Sequence, residues 1–180
     1  MALAITAVAG SALLLGVASS LQTTGDCLEQ TIAAGMAQQL MDEIAGAGYA
    51  EPGPSPYAGS LQPEAGETAS GTRESFDDID DFNGLRQQPP TDRRGVPLGA
   101  DDGEGSRRHP NFCTPPGYFD RWRQEVDVDY VDPADFTKPM SGTQVSDYRA
   151  IEVRIVYVDP DRGSRVLSTL RRVVAYVPAM

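Results

Sequence analysis

The densest chemistry in the chain is a run of acids, Asp77, Asp78, Asp80 and Asp81, closed by Asn83. Carboxylates and an amide oxygen are the donors that a hard cation such as calcium takes. The calcium-loop pattern is out of register, however. Counting back from Gly84 puts Ile79 in the first ligand position and Pro90 where the bidentate Glu belongs. Adjacent acids also repel, so the competing expectation is a set of solvated loop acids bridged to Arg73, Arg86 or Arg93. Cys27 and Cys113 are the only cysteines. Outside the cytoplasm such a pair can close a disulfide. Cys27 lies in a helical segment and Cys113 in an irregular one, so two free thiols are the alternative. His109 is the only histidine, in the loop GSRRHP. A catalytic base needs an oriented partner and a pocket, and none is visible around it. No G-x-S-x-G, zinc-ligand spacing or phosphate-binding loop occurs. The expectation is a protein without catalytic residues or a resident cofactor, calcium excepted.

The elements that must carry these residues divide the chain unevenly. Net charge is −11, which does not suit phosphate backbones and argues against nucleic-acid binding. Residues 1–48 contribute −4, residues 49–110 contribute −6 and residues 111–180 contribute −1. Residues 49–117 hold 10 Pro and 10 Gly, a density that predicts irregular chain. Within them, residues 48–71 read as an extended excursion and 87–116 as irregular. An ordered island is predicted at 72–85, where Phe76, Ile79, Phe82 and Leu85 recur every third residue and fit a short helix or 3₁₀ turn. Asn83-Gly84 then ends it.

Residues 1–25 carry no charge; the first charged side chain is Asp26. The apolar part, 1–21, is long enough as a helix to cross a ~30 Å hydrocarbon core. Val17-Ala18-Ser19 offers small residues for signal-peptide cleavage, but no Lys or Arg precedes Arg73. A plain anchor and an anchor that doubles as a packing helix are the other readings. The second is favoured by residues 26–47. Leu28, Ile32, Met36, Leu40 and Ile44 fall at four-residue spacing beside Ala33, Ala37 and Met41, with Gln30, Gln38, Gln39, Asp42 and Glu43 largely elsewhere on the wheel. Thr23 to Asp26 are poor helix formers and predict a weak joint, with Asp26 and Glu29 capping a fresh start. Gly46 and Gly48 suit a left-handed helix end.

Residues 118–180 read as sheet, with Tyr118 and Trp122 packing at its entry. Val126, Val128 and Tyr130 alternate with Asp127 and Asp129. In 148–158, Ile151, Val153, Ile155 and Tyr157 face one way and Glu152 and Arg154 the other. The turn 159–164 leads to a third run, 165–177, whose alternation is less clean; the last two strands form an antiparallel hairpin. Three strands with one apolar face need a cover, and the face from Leu28 to Ile44 is the one available. The predicted class is α+β: a long N-terminal helix on a three-stranded antiparallel sheet, with an irregular acidic loop between.

Three stretches in this order resemble the type IV pilin and type II secretion pseudopilin family, above all its minor, modification-type members. They are MALAITAVAGSALLLGVASSLQ running into EQTIAAGMAQQLMDEI; SFDDIDDFNGL followed by PPTDRRGVPLG; and VDVDYVDPADF with DYRAIEVRIVYVDPDRGSRVLSTLRRVVAYV. The resemblance implies a single-pass inner-membrane protein whose C-terminal domain lies in the periplasm. It also implies partners: other pilin or pseudopilin subunits, met through the N-terminal helix in a pilus or secretion filament. Some subunits of this kind bind calcium. Small residues let such helices approach, and Gly10 and Gly16 with Leu13, Leu14, Leu15 and Val17 are the expected packing surface. The family's basic leader, cleavage-point Gly, aromatic residue and Glu are not in this sequence; the reading expects them to be encoded upstream of Met1. A membrane-anchored extracytoplasmic binding module that never enters a filament is the alternative.

Overall fold

The computed structural model describes residues 2–51, 53, 55–57, 61–64, 66–67, 71–101 and 108–178, with side chains from Gly10 onward. One helix, α1 (Ala2–Ala45), leads into a sheet of five antiparallel strands. These are β1 (Arg86–Gln87), β2 (Trp122–Asp132), β3 (Asp135–Pro139), β4 (Tyr148–Asp159) and β5 (Gly163–Ala175). The order is β1-β2-β4-β5, with β3 folding back on the end of β2. The layout is α+β, as predicted. The sheet is larger than the three strands expected, because β1 and β3 are too short to show a period of two.

Helix α1 runs unbroken through Thr23–Asp26, where a joint was expected. The Thr23 and Thr24 hydroxyls donate to the carbonyls of Ser19 and Ser20, each at 2.9 Å, and so stay inside the helix. Weak propensity over four residues does not outweigh a continuous hydrogen-bond ladder. At 1.5 Å per residue α1 is roughly 66 Å long. From Gly10 onward, where its side chains are described, no helix is long and apolar enough to cross a membrane.

Only the second half of α1 is core. Ala33, Met36, Ala37, Leu40, Met41 and Ile44 are buried, Ile32 is partly so, and Leu28 is 56% exposed. The covered face therefore begins one turn later than the spacing suggested. It lies on β4 and β5. From the sheet it meets Val126, Val128, Ile151, Val153, Ile155 and Leu167. Register between β2 and β4 runs from Trp122↔Tyr157 to Tyr130↔Arg149. A register shift opposite Ile155/Val156 leaves Leu167 as the extra residue of β5, which is why that strand alternates unevenly.

The helix end also departs from expectation. Gly46 and Gly48 are not left-handed. Gly46 N–H donates to the carbonyls of Asp42 and Glu43, both at 3.2 Å. Gly48 is needed for proximity: its N–H donates to Asp77 O at 2.7 Å and its carbonyl accepts from Ile79 N at 3.0 Å. A Cβ there would sit 3.3 Å from Asp77 O. The acidic island is thus bonded, backbone to backbone, to the chain leaving α1.

Candidate functional site

The island is built inward. Phe76, Ile79 and Phe82 are buried in the main core, and residues Asp80–Phe82 form a 3₁₀ turn. Asn83 stitches it to the sheet: its Nδ2 donates to Leu61 O at 2.7 Å and its Oδ1 accepts from Val128 N at 2.8 Å. Gly84, at φ +78°, turns the chain so that its N–H donates to Val126 O at 3.1 Å. With both polar ends engaged, Asn83 ties the excursion, the island and β2 together.

Planting three aromatic and aliphatic side chains also pulls the intervening acids under the surface. Asp78, Asp80 and Asp81 are buried, and Asp77 alone of the four is exposed. The solvated acids bridged to Arg73, Arg86 or Arg93 are therefore not found. Arg73 instead makes a two-pronged pair with Glu43 of α1, Nε–Oε1 2.9 Å and Nη2–Oε2 3.0 Å. Arg86 pairs with Asp127 at 2.5 Å. Arg93 donates to the carbonyls of Arg73, Glu74 and Phe76.

The cation that does reach the island is Arg149 of β4, fully buried. Its Nη1 donates to Asp80 Oδ1 at 2.8 Å and to the carbonyl of Tyr49. Its Nη2 donates to the Tyr130 hydroxyl at 3.2 Å and to Pro56 O at 3.4 Å. The guanidinium lies 4.5 Å from the Tyr49 ring centre and 5.2 Å from that of Tyr130. Burial pushes the Tyr49 hydroxyl up to about 12 against the pull of Arg149, so Tyr49 stays a neutral phenol at neutral pH. The sequence held a signal for this residue. Arg149 has the parity of Ile151, Val153 and Ile155, the inward face of its strand, and a buried Arg requires a partner.

Asp78 and Asp81 serve the backbone. Asp81 Oδ2 accepts from Asp77 N at 2.8 Å and Asp78 N at 3.0 Å. Asp78 Oδ1 accepts from Asp80 N at 2.9 Å. Their other oxygens, Asp78 Oδ2 and Asp81 Oδ1, are buried with no hydrogen-bond partner. Around them stand glutamates from the irregular excursion. Glu51, Asp77 and Asp78 bring carboxylate oxygens within 4.8 Å of one another, and so do Glu64, Glu67 and Asp81. Burial, then the neighbouring acids, pushes Asp78 up to about 8 and Glu67 up to about 7. Of the five predicted ligands, Asp77, Asp78 and Asp81 lie among these carboxylates. Asp80 and Asn83 are committed elsewhere. Glu51, Glu64 and Glu67 were not read from the sequence, because they sit in a stretch with no period.

The remaining predicted residues are far simpler. Cys27 and Cys113 are both free and exposed, Cys27 on α1 and Cys113 after a 3₁₀ turn at Pro110–Phe112, so the disulfide is not formed. His109 caps that turn, its Nδ1 accepting from Asn111 N at 3.3 Å. Trp122 is buried against Phe119, ring centres 5.2 Å apart, with Tyr118 outside it. Leu13, Leu14, Leu15 and Val17 are exposed on the projecting half of α1. A Cβ added at Gly10 or Gly16 would meet nothing within 4 Å.

No family model, curated protein or solved structure matches the chain. It presents an apolar helical stalk and a carboxylate patch. The stalk has the chemistry of a packing surface, for lipid or for other helices.

Proposed function

We propose that this chain is a structural subunit of the minor pilin or pseudopilin type, anchored in the inner membrane by residues 1–21 and drawn into a pilus or secretion filament by the same helix. One observation carries the reading. A single unbroken helix is both the core of the domain and a projecting stalk whose described leucines, Leu13, Leu14, Leu15 and Leu21, are exposed. A simple tether has no need of this continuity, since a flexible linker serves it equally well. A filament subunit does need it, because the domain must be held rigidly relative to the helix that packs. Charge supports the same division. The stalk has none before Asp26, and an uncharged helix is acceptable to lipid and to neighbouring helices alike. Head-to-tail contacts of this kind need not close, and open repetition gives a filament.

The test is Gly10→Leu. Added bulk at a close helix contact separates the helices, whereas leucine suits a lipid anchor as well as glycine does. The quantity measured is the fraction of chain co-sedimenting with sheared filaments at matched membrane levels. Wild type is expected to co-sediment and Gly10→Leu to stay in the membrane with its domain folded. Wild type that never co-sediments removes the filament reading and leaves the anchored binding module. A variant that co-sediments like wild type removes Gly10 from the packing surface.

A further inference from the structure

The carboxylates around the island lack the positive charge that their burial demands. Asp78 and Asp81 are each 1% exposed, yet each keeps one buried oxygen, Asp78 Oδ2 and Asp81 Oδ1, with no donor. The opposite oxygen of each is held by backbone N–H groups, so the side chains cannot rotate away from this arrangement. Asp78 and Asp81, which carry these donor-free oxygens, each belong to one of two groups of three carboxylates, Glu51–Asp77–Asp78 and Glu64–Glu67–Asp81. No ion pair among the described residues includes any of these side chains; Arg149 is spent on Asp80 and Arg73 on Glu43. Burying a carboxylate beside other acids with no counter-charge is a costly arrangement.

We propose that these two carboxylate groups, Glu64–Glu67–Asp81 and Glu51–Asp77–Asp78, are calcium sites that fasten the acidic excursion to the island. The donor set is all oxygen, which suits calcium and excludes a preference for zinc or copper. Oxygens bound to one calcium at 2.3–2.6 Å lie within ~5 Å of one another, the spacing that each group already has. Calcium accepts the irregular geometry of such a site, with water filling the rest of six to eight positions; magnesium demands a regular octahedron. In each site a buried aspartate held by the 3₁₀ turn is the fixed ligand, and glutamates from the irregular chain close over it. The sites do not depend on filament assembly.

The experiment uses the full chain in detergent, stripped with a chelator and titrated with calcium chloride by calorimetry, with thermal melting in parallel. Saturable binding is expected with a Kd no weaker than the ~1 mM of extracellular calcium modules, together with a higher melting temperature. Glu51→Gln with Glu64→Gln changes two exposed side chains, one in each group. That pair should weaken binding at least ~10-fold, the loss that even outer-shell changes cause, while the calcium-free melt does not fall and rises if the lost repulsion is felt in the fold. Glu74→Gln, an exposed acid outside both groups, should bind as wild type does. Absence of saturable heat and of a melting shift up to ~10 mM calcium, well beyond that range, overturns the proposal. Unaltered binding by the double variant overturns it too, as does an equal loss in Glu74→Gln. Equal affinity for magnesium overturns the choice of calcium.

Discussion

The two halves of α1 share one backbone and have opposite surroundings. Leu14 is 73% exposed and Leu40 1%. The side chain itself does not separate them, since both are leucines of one helix. The separation comes from what lies on the far side of the helix. From Gln30 onward, Gln38, Gln39, Asp42 and Glu43 leave one stripe apolar, and β4 and β5 cover that stripe. Before Gln22 no side of the helix is charged or strongly polar, and one small sheet cannot wrap it. A helix apolar all round asks for a solvent that is apolar all round, lipid or other helices. The difference teaches that the domain ends where one-sidedness ends, near Ile32, and that the stalk is left without cover from the sheet.

The sharpest way to break this comparison is to place the same charge on each half. Leu40→Asp removes a buried leucine, ~2–5 kcal/mol, and buries a carboxylate among Ala37, Met41 and Ile44, several kcal/mol more. That exceeds the stability of most small domains, so the variant should not fold. Leu14→Asp should leave the melting of the domain within ~0.5 kcal/mol of wild type. Circular dichroism and urea unfolding of the full chain in detergent decide it. Comparable damage from both substitutions would mean that the stalk packs on its own domain.

Arg149→Met comes next, and asks whether the sheet alone holds the buried half of α1. Arg149 bonds the chain leaving the helix, at Tyr49 O, to the island through Asp80 and to β2 through Tyr130. Methionine fills much of the volume but strands Asp80 as a buried, unpaired charge, a loss of ~3–5 kcal/mol. Adding Asp80→Asn removes that charge and should restore part of the loss. Urea midpoints of the single and double variants measure both. A loss no greater than the ~1 kcal/mol of a surface pair would mean that water reaches Asp80.

Those two substitutions also mark what the sequence could and could not tell. The face around Leu40 was legible because polar residues frame it at helical spacing, and β2 and β4 because period two shows there; β5 was read chiefly from the turn that precedes it. Leu28 misled, since its spacing is right but the sheet stops short of it. β1 and β3 were invisible: two to five residues cannot display a period. The island was readable from Phe76, Ile79 and Phe82, and its consequence was missed. Core residues every third position drag the acids between them below the surface, which turned presumed solvent acids into buried ones. Glu51, Glu64 and Glu67 were illegible for a different reason. Their place depends on where an aperiodic chain settles against the island, and only tertiary contacts fix that.

The smallest expected effect tests where the two halves meet. Gly25 sits mid-helix with ordinary dihedrals, and a Cβ there meets nothing within 4 Å. It lies seven residues before Ile32, where the sheet takes hold, and next to Thr24, whose hydroxyl bonds back to Ser20 O at 2.9 Å. Gly25→Ala removes backbone freedom from the unfolded chain and should stabilise the local helix by ~0.5–1 kcal/mol. Amide exchange around residues 20–30 should slow by roughly two- to fivefold, which is that energy expressed as a ratio. The melting temperature of the domain should not change, because a helix segment outside the covered stripe opens separately from the core. Both readouts are needed. Slower exchange with an unmoved melt places the boundary between two cooperative units near residue 25. A melt that rises with the exchange would make α1 one unit from stalk to core, and a subunit that transmits strain along its full length.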